Sequence, residues 1–158
     1  TVTDREGNLW VYQGGDILVR YDPSTTATDV FTVTAPPYTY ETRMGYDRPT
    51  HSIYFGGFAD DEVYRYDIAT GTTDTTLTLH PEGFLNDIFC SDRNGHLYAA
   101  GSSGGTSLWQ YEIATDTWTT IPDYPTDHGN NGSCSVSLDG WLYMEPGSVT
   151  TIYKLPLY

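Results

Sequence analysis

Gly7-Asn8-Leu9-Trp10 returns as His51-Ser52-Ile53-Tyr54, then as Gly95-His96-Leu97-Tyr98, and a fourth time as Gly140-Trp141-Leu142-Tyr143. The apolar anchors Leu9, Ile53, Leu97 and Leu142 stand 44, 44 and 45 residues apart. A second element follows each anchor: Val19-Arg20-Tyr21-Asp22-Pro23-Ser24-Thr25, Tyr64-Arg65-Tyr66-Asp67-Ile68-Ala69-Thr70, Trp109-Gln110-Tyr111-Glu112-Ile113-Ala114-Thr115, and the shorter Ile152-Tyr153-Lys154-Leu155. A fixed period of this length marks one supersecondary unit repeated along the chain.

Within each unit apolar and polar residues alternate, as they do in half-buried strands, and turn residues interrupt the chain every 8–12 residues. No segment carries apolar residues at helical spacing over ten positions. Four strands per unit are predicted. Strand a carries a polar, small-residue run ending in a turn: Asp4-Arg5-Glu6-Gly7, Asp47-Arg48-Pro49-Thr50, Asp92-Arg93-Asn94-Gly95 and Leu138-Asp139-Gly140. Strand b is the Leu-x-Tyr run and strand c the Tyr-Asp run. Strand d follows as 29–33, 74–79 and 117–121. Short antiparallel strands at this period specify an all-β fold, a β-propeller of four-stranded antiparallel blades. The blades fall at about 1–35, 36–81, 82–125 and 126–158 of a single domain. A lone blade cannot bury both faces, so the aromatic and aliphatic side chains of strands b and c are expected to stack blade on blade.

The strand count is uneven: a, b and c occur four times and d three times. The fourth blade is therefore expected to have three strands. Three explanations stand side by side: a small ring with one thin blade, a second chain that completes the open blade, or a piece of a longer propeller. An open strand c is an edge that invites strand addition by another copy.

The glycine pairs Gly14-Gly15 and Gly56-Gly57 that close strand b resemble the di-glycine of kelch repeats. Tyr111 and Trp118, with six residues between them, resemble the kelch tyrosine–tryptophan pair. Asp4-Arg5-Glu6-Gly7-Asn8-Leu9-Trp10 is similar to streptogramin-lyase-like and two-component-regulator propellers. The later di-glycines depart from kelch in spacing or content. These resemblances imply the propeller over essentially the whole chain. They leave activity open, because one fold hosts many.

The chain of 158 residues carries a net charge of −14, with 21 acidic and 7 basic residues, and Lys154 is its single lysine. Such a surface repels phosphate backbones, so nucleic acid is not expected as a partner. No apolar run is long enough to span a membrane as a helix. The chain opens at Thr1 rather than a methionine, which suggests a removed leader or a piece of something longer. Low lysine with abundant Asp and Thr leans towards an extracellular or cell-surface protein. Cys90 and Cys134 permit one disulfide. They lie one residue out of register against Gly95 and Gly140, which favours two buried thiols. Asn131-Gly132-Ser133 is a glycosylation sequon in a secreted eukaryotic protein.

Ligands of propellers usually sit where strands d lead into the next strand a. Aligning the repeats on Asp47, Asp92 and Ser137 brings Glu41, Asn86 and Asn131 to one level, with Tyr38, Phe84, Asp87 and Asn130 beside them. Carboxylates, amides and aromatic faces together suit a glycan or another polyhydroxylated ligand. His128, flanked by Gly129, is the best general base in the chain, and Tyr40 and Arg43 are its candidate helpers if the protein is an enzyme. Lyase-like propellers use histidines of this region, and the resemblance extends that role to His128. Asp60-Asp61-Glu62 lacks the spaced ligands of a calcium loop, no zinc pattern exists, and no metal or cofactor is expected. The leading functional expectation is a non-catalytic extracellular propeller, a binding or self-assembly module whose partner is itself or a glycan. The alternative is a carbohydrate-active lyase-like enzyme or a lectin using the mouth of the central channel.

Overall fold

A computed structural model describes residues 1–34, 42–56, 61–83, 88–100, 105–123, 132–145, 147 and 150–157. Every regular element among them is a strand, and they build four antiparallel sheets. Blade 1 contains β1 (Val2–Thr3), β2 (Leu9–Gly14), β3 (Ile17–Asp22) and β4 (Ala27–Thr32). Blade 2 contains β5 (Arg43–Asp47), β6 (Ser52–Gly56), β7 (Tyr64–Asp67) and β8 (Thr72–Asp74). Blade 3 contains β9 (Phe89–Ser91), β10 (His96–Ala100), β11 (Leu108–Glu112) and β12 (Thr117–Ile121). Blade 4 contains β13 (Ser133–Val136), β14 (Trp141–Glu145) and β15 (Tyr153–Pro156). Each sheet is a simple meander, and the four form a propeller of four, four, four and three strands. No described helix is long and apolar enough to cross a membrane.

The repeat explains the pairing. Leu9 lies opposite Tyr21, Ile53 opposite Tyr66, Leu97 opposite Tyr111 and Leu142 opposite Leu155, so one anchor pair recurs at the same level of every blade. In blades 2 to 4 this pair faces the preceding blade. Ile53, Phe55, Tyr64 and Tyr66 pack with Trp10, Leu18 and Val33 of blade 1. Leu97, Ala99 and Tyr111 pack with Tyr54 and Val63 of blade 2. Leu142 and Met144 pack with Tyr98, Ala100 and Leu108 of blade 3. The alternate positions Trp10, Tyr54 and Tyr98 face the blade that follows. Period-two alternation thus supplies each sheet with two buried faces, one per neighbour.

The innermost strands converge, and small residues make room. A Cβ on Gly45 would stand 3.0 Å from the Ser91 Cβ, and one on Gly132 would stand 2.7 Å from Ile88. Polar links cross the seams beside the apolar contacts. The Ser91 hydroxyl donates to the Tyr46 carbonyl at 2.8 Å, the Gly95 amide to Asp47 Oδ1 at 2.8 Å and the Thr78 amide to Asp116 Oδ1 at 2.8 Å.

Three expectations need correction. The Asp-Arg runs do not merely end in a turn: apart from Asp47, which closes β5, they lie wholly in the turns between strands a and b. Each aspartate carboxylate accepts amides of its own turn, from Glu6 and Asn8 to Asp4, from Thr50 to Asp47, and from Asn94 and His96 to Asp92. A side chain that satisfies backbone donors locally competes with the ladder and favours a turn. Strand d of blade 2 is β8, Thr72–Asp74, and does not run to Leu79, because Asp74 Oδ1 accepts the Thr76 amide and hydroxyl and turns the chain. Finally, Cys90 and Cys134 are bonded to each other, with Cα atoms 5.7 Å apart. The register argument applies within one sheet, whereas these residues sit in the inner strands of two neighbouring sheets. There the blades are close enough for a bridge to absorb one step along the strand.

The glycine pairs serve different purposes. Gly14 and Gly15 have φ of 93° and 62° at a bulge between β2 and β3, a conformation that a side chain resists. Gly56 lies where a Cβ would stand 2.9 Å from the Phe89 ring, so it is there for close blade packing. Tyr111 and Trp118 do meet, with ring centroids 5.0 Å apart, in a contact within blade 3. Propeller architecture follows from these features, and membership of the kelch group does not.

Candidate functional site

The two ends of the propeller differ. Strands a and c run in one direction and b and d in the other, so the a–b and c–d connections share one end and the b–c and d–a connections share the other. The first end has only short turns: 4–8, 48–51, 92–95 and 137–140 between a and b, and 23–26, 68–71 and 113–116 between c and d. The second has 33–42, 75–88 and 122–132 between blades, and 57–63, 101–107 and 146–152 between b and c, beside the two-residue b–c turn 15–16 of blade 1. Long connections held on a rigid scaffold are where binding and catalytic groups concentrate.

Of the residues expected to form the site, Arg43 is described. It opens β5, half-buried, at the long-connection end, near enough to Thr1 for its charge to help depress that amine alongside burial. Tyr38, Tyr40, Glu41, Phe84, Asn86, Asp87, His128, Asn130 and Asn131 lie outside the described residues.

Between the four innermost strands is a cavity of about 240 Å³, a channel along the propeller axis. All four blades contribute walls: Val2 and Thr3 from β1, Met44, Gly45 and Tyr46 from β5, Cys90 and Ser91 from β9, and Cys134, Ser135 and Val136 from β13, with Arg93 at the short-turn end. The size lies between a void that holds one small aromatic molecule and an ordinary ligand pocket. Thr3, Ser91 and Ser135 stand among apolar groups in this lining, while the Ser91 hydroxyl is taken up by the Tyr46 carbonyl and the Arg93 amide, and the Tyr46 hydroxyl by the Arg5 amide and His51.

Charge in this lining is unlike the rest of the chain. No acidic side chain is among these residues, although the sequence holds 21. Asp4, Asp47 and Asp92 stand at the same end, but their oxygens are occupied. Asp4 accepts from Asn8 and, at 2.7 Å, from Trp10 Nε1; its burial favours the neutral form, yet these bonds and the turn amides lower its pKa on balance. Asp47 accepts from Thr50 and Gly95, and Asp92 from the His96 ring at 2.7 Å.

Three histidines are described, and none is presented as a free base. His51 pairs with the Tyr46 hydroxyl at 2.9 Å. His96 lies between Asp92 and Glu112, at 2.7 and 2.8 Å. Burial alone would lower its pKa, but the Asp92 hydrogen bond and the two carboxylate charges raise it overall. His80 is buried at the seam of blades 2 and 3, stacked edge-on against Trp118 at 4.6 Å and Trp109 at 5.9 Å. Desolvation depresses it to about 4, only partly opposed by Asp61, so at neutral pH it is an uncharged packing residue. Among the described residues no group of three or more potential ligands is placed to hold a metal. The residues that reasoning from sequence alone missed are the channel lining and Arg93. Their signal was present: Asp-Arg recurs at 4–5, 47–48 and 92–93.

No family model and no curated protein matches the sequence. The fold does match solved structures. The chain superposes on a gluconolactonase from Xanthomonas campestris with a TM-score of 0.71 and 15% identity, covering 99% of this chain and 55% of that one. For virginiamycin B lyase from Staphylococcus aureus the values are 0.65, 11%, 98% and 54%. For Kuenenia stuttgartiensis hydrazine synthase they are 0.68, 15%, 98% and 44%. The chain therefore spans about half the length of the solved structures it matches. The leading expectation from sequence, a non-catalytic binding or self-assembly module, is overturned here: all three proteins are named for enzymes. At these identities, what this chain demonstrably shares with them is the β-propeller.

Proposed function

We propose that the protein is a lyase-like or hydrolase-like enzyme acting on a carbohydrate or a similarly polyhydroxylated small molecule at the long-connection end of the channel. The observation that carries this reading is the asymmetry of the propeller: the strand directions put every long connection at the end where Arg43 opens β5, and a cavity of about 240 Å³ lies between the innermost strands. The gluconolactonase and the virginiamycin B lyase share the architecture and lend support. In this reading His128 is the general base, Tyr40 a proton donor and Arg43 the group that steadies developing negative charge. Glu41, Asn86 and Asn131, with Tyr38, Phe84, Asp87 and Asn130, hold the substrate's hydroxyls and ring face. The Cys90–Cys134 bridge supports a location outside the reducing cytosol.

The test is a turnover assay on sugar lactones and oligosaccharides, with His128→Ala beside the unaltered protein. The expected result is turnover that falls about 100-fold or more in the variant, the usual worth of a positioned acid–base group. Absence of turnover across the panel, or equal rates for both proteins, would contradict the proposal.

A further inference from the structure

Among the described residues, Arg93 is the one charged side chain in the channel lining. It comes from the a–b turn of blade 3, passes beneath blade 2 with its guanidinium 5.6 Å from the centre of the Tyr46 ring, and donates from Nη2 to the Thr3 carbonyl of blade 1 at 2.9 Å. One side chain thus spans three blades at the short-turn end of the channel.

Its backbone is unusual for its place in the repeat. Arg5, Arg48 and Arg93 are equivalent, but of the three only Arg93 has a positive φ, 64°. A non-glycine residue there costs about 1 kcal/mol or more and persists when surroundings fix it. Here the Ser91 hydroxyl accepts the Arg93 amide at 2.8 Å, and the Arg48 amide donates to the Arg93 carbonyl at 3.3 Å. The strained turn aims the guanidinium at the axis.

No carboxylate among the described residues neutralises it. The neighbouring Asp92 is committed to Asn94 and His96. Arg5 pairs with Glu6 instead, at 2.8 Å. Among the described residues Arg93 makes no ion pair, and a single carbonyl takes up one of its five donors. An arginine without a counter-ion among the described residues, in a chain of net charge −14 and facing a cavity whose described lining holds no acidic side chain, is a positive point in a negative protein.

We infer that Arg93 is an anion-recognition residue at the short-turn end of the channel, and that the channel selects small ligands bearing a carboxylate, held by the guanidinium fork. This rests on the channel being the ligand site and adds the ligand's charge to that reading. Planar, paired N–H donors match a carboxylate better than an ammonium does.

Calorimetric binding of glucuronate and of glucose, which differ in the carboxylate, tests the inference without requiring turnover. The unaltered protein is expected to prefer glucuronate about tenfold or more at low salt, as one charge-assisted contact allows. Arg93→Gln should bring the ratio close to one. Arg93→Lys should keep part of it, and Arg48→Gln, on the neighbouring turn, should leave it unchanged. A thermal melt of each variant shows that the fold is intact, and decay of the preference with salt in the unaltered protein gives a readout independent of any substitution. Equal binding of both sugars by the unaltered protein, or an undiminished preference in a folded Arg93→Gln, overturns the inference. Missing turnover with the preference intact would count against the proposed enzyme and not against Arg93.

Discussion

Blade 1 and blade 3 carry nearly the same residues at the same repeat positions and put them in opposite environments. Leu9 is 38% exposed and its partner Tyr21 36%, while Leu97 and Tyr111, their equivalents in blade 3, are 0% and 1% exposed. Val30 on the same face of blade 1 is 69% exposed. The difference lies in the neighbour. The face that Leu97 presents to blade 2 is the face that Leu9 presents to no described blade. Burial in this fold is therefore a property of the seam between two sheets. The stability of an array of this kind is a sum of weak units and strong interfaces.

That contrast can be broken experimentally, and the seams are expected to respond in a definite order. The largest effect should come from the bridge between blades 3 and 4. It closes a loop of sequence separation 44, and removing it as Cys90→Ser with Cys134→Ser should cost about 4 kcal/mol by loop entropy, read as a shift in the urea midpoint. Leu97→Ala at the seam of blades 2 and 3 should cost about 2–5 kcal/mol, whereas Leu9→Ala should cost less than about 1 kcal/mol because little apolar area is lost from cover. Equal losses for the two leucines would contradict the account.

The seam of blades 2 and 3 also predicts a pH dependence. Buried His80 has a folded pKa near 4, below its ordinary 6.5, so the unfolded chain binds the extra proton between those values. Stability should be full above pH 6.5 and fall towards pH 4, by about 3 kcal/mol at most from this residue. His96 is shifted the other way by Asp92 and Glu112, and its contribution is present in acid and lost as pH rises through its raised pKa. Denaturation midpoints from pH 4 to 7 should therefore lose most of their slope in His80→Phe. A His80→Phe profile as steep as that of the unaltered protein would count against this seam.

The smallest effect belongs to blade 1. Arg20 pairs with Asp29 at 2.5 Å on its outer strands, but the two side chains are 35% and 47% exposed. Asp29→Asn should cost about 0.2–1 kcal/mol and less at high salt. A larger loss would mean that this part of blade 1 is better sheltered than its exposures indicate.

What was legible in the sequence follows from the same contrast. The anchors at Leu9, Ile53, Leu97 and Leu142 and the Tyr-Asp runs are set by the strand period and the repeat, both local signals, and they specify fifteen strands in four sheets. Features set between sheets were not legible in that way. The Cys90–Cys134 bridge depends on how closely inner strands converge, and the end of β8 depends on the Asp74 side chain capturing Thr76. Arg93 stands in a motif that repeats three times, yet its role comes from a backbone angle and a contact 90 positions away in sequence. The residues chosen for the long-connection end rest on alignment of the repeats and on chemistry alone.

Hydrogen exchange resolved by strand is the most direct test of the claim that seams, and not single blades, hold this protein together. Amides of β6 and β10, covered on both faces, should exchange slowest, and those of β3, in the blade with an open face, at least about tenfold faster through partial opening. Protection of β3 equal to that of β10 would show that blade 1 is stable without its outer neighbour, and the account would be wrong.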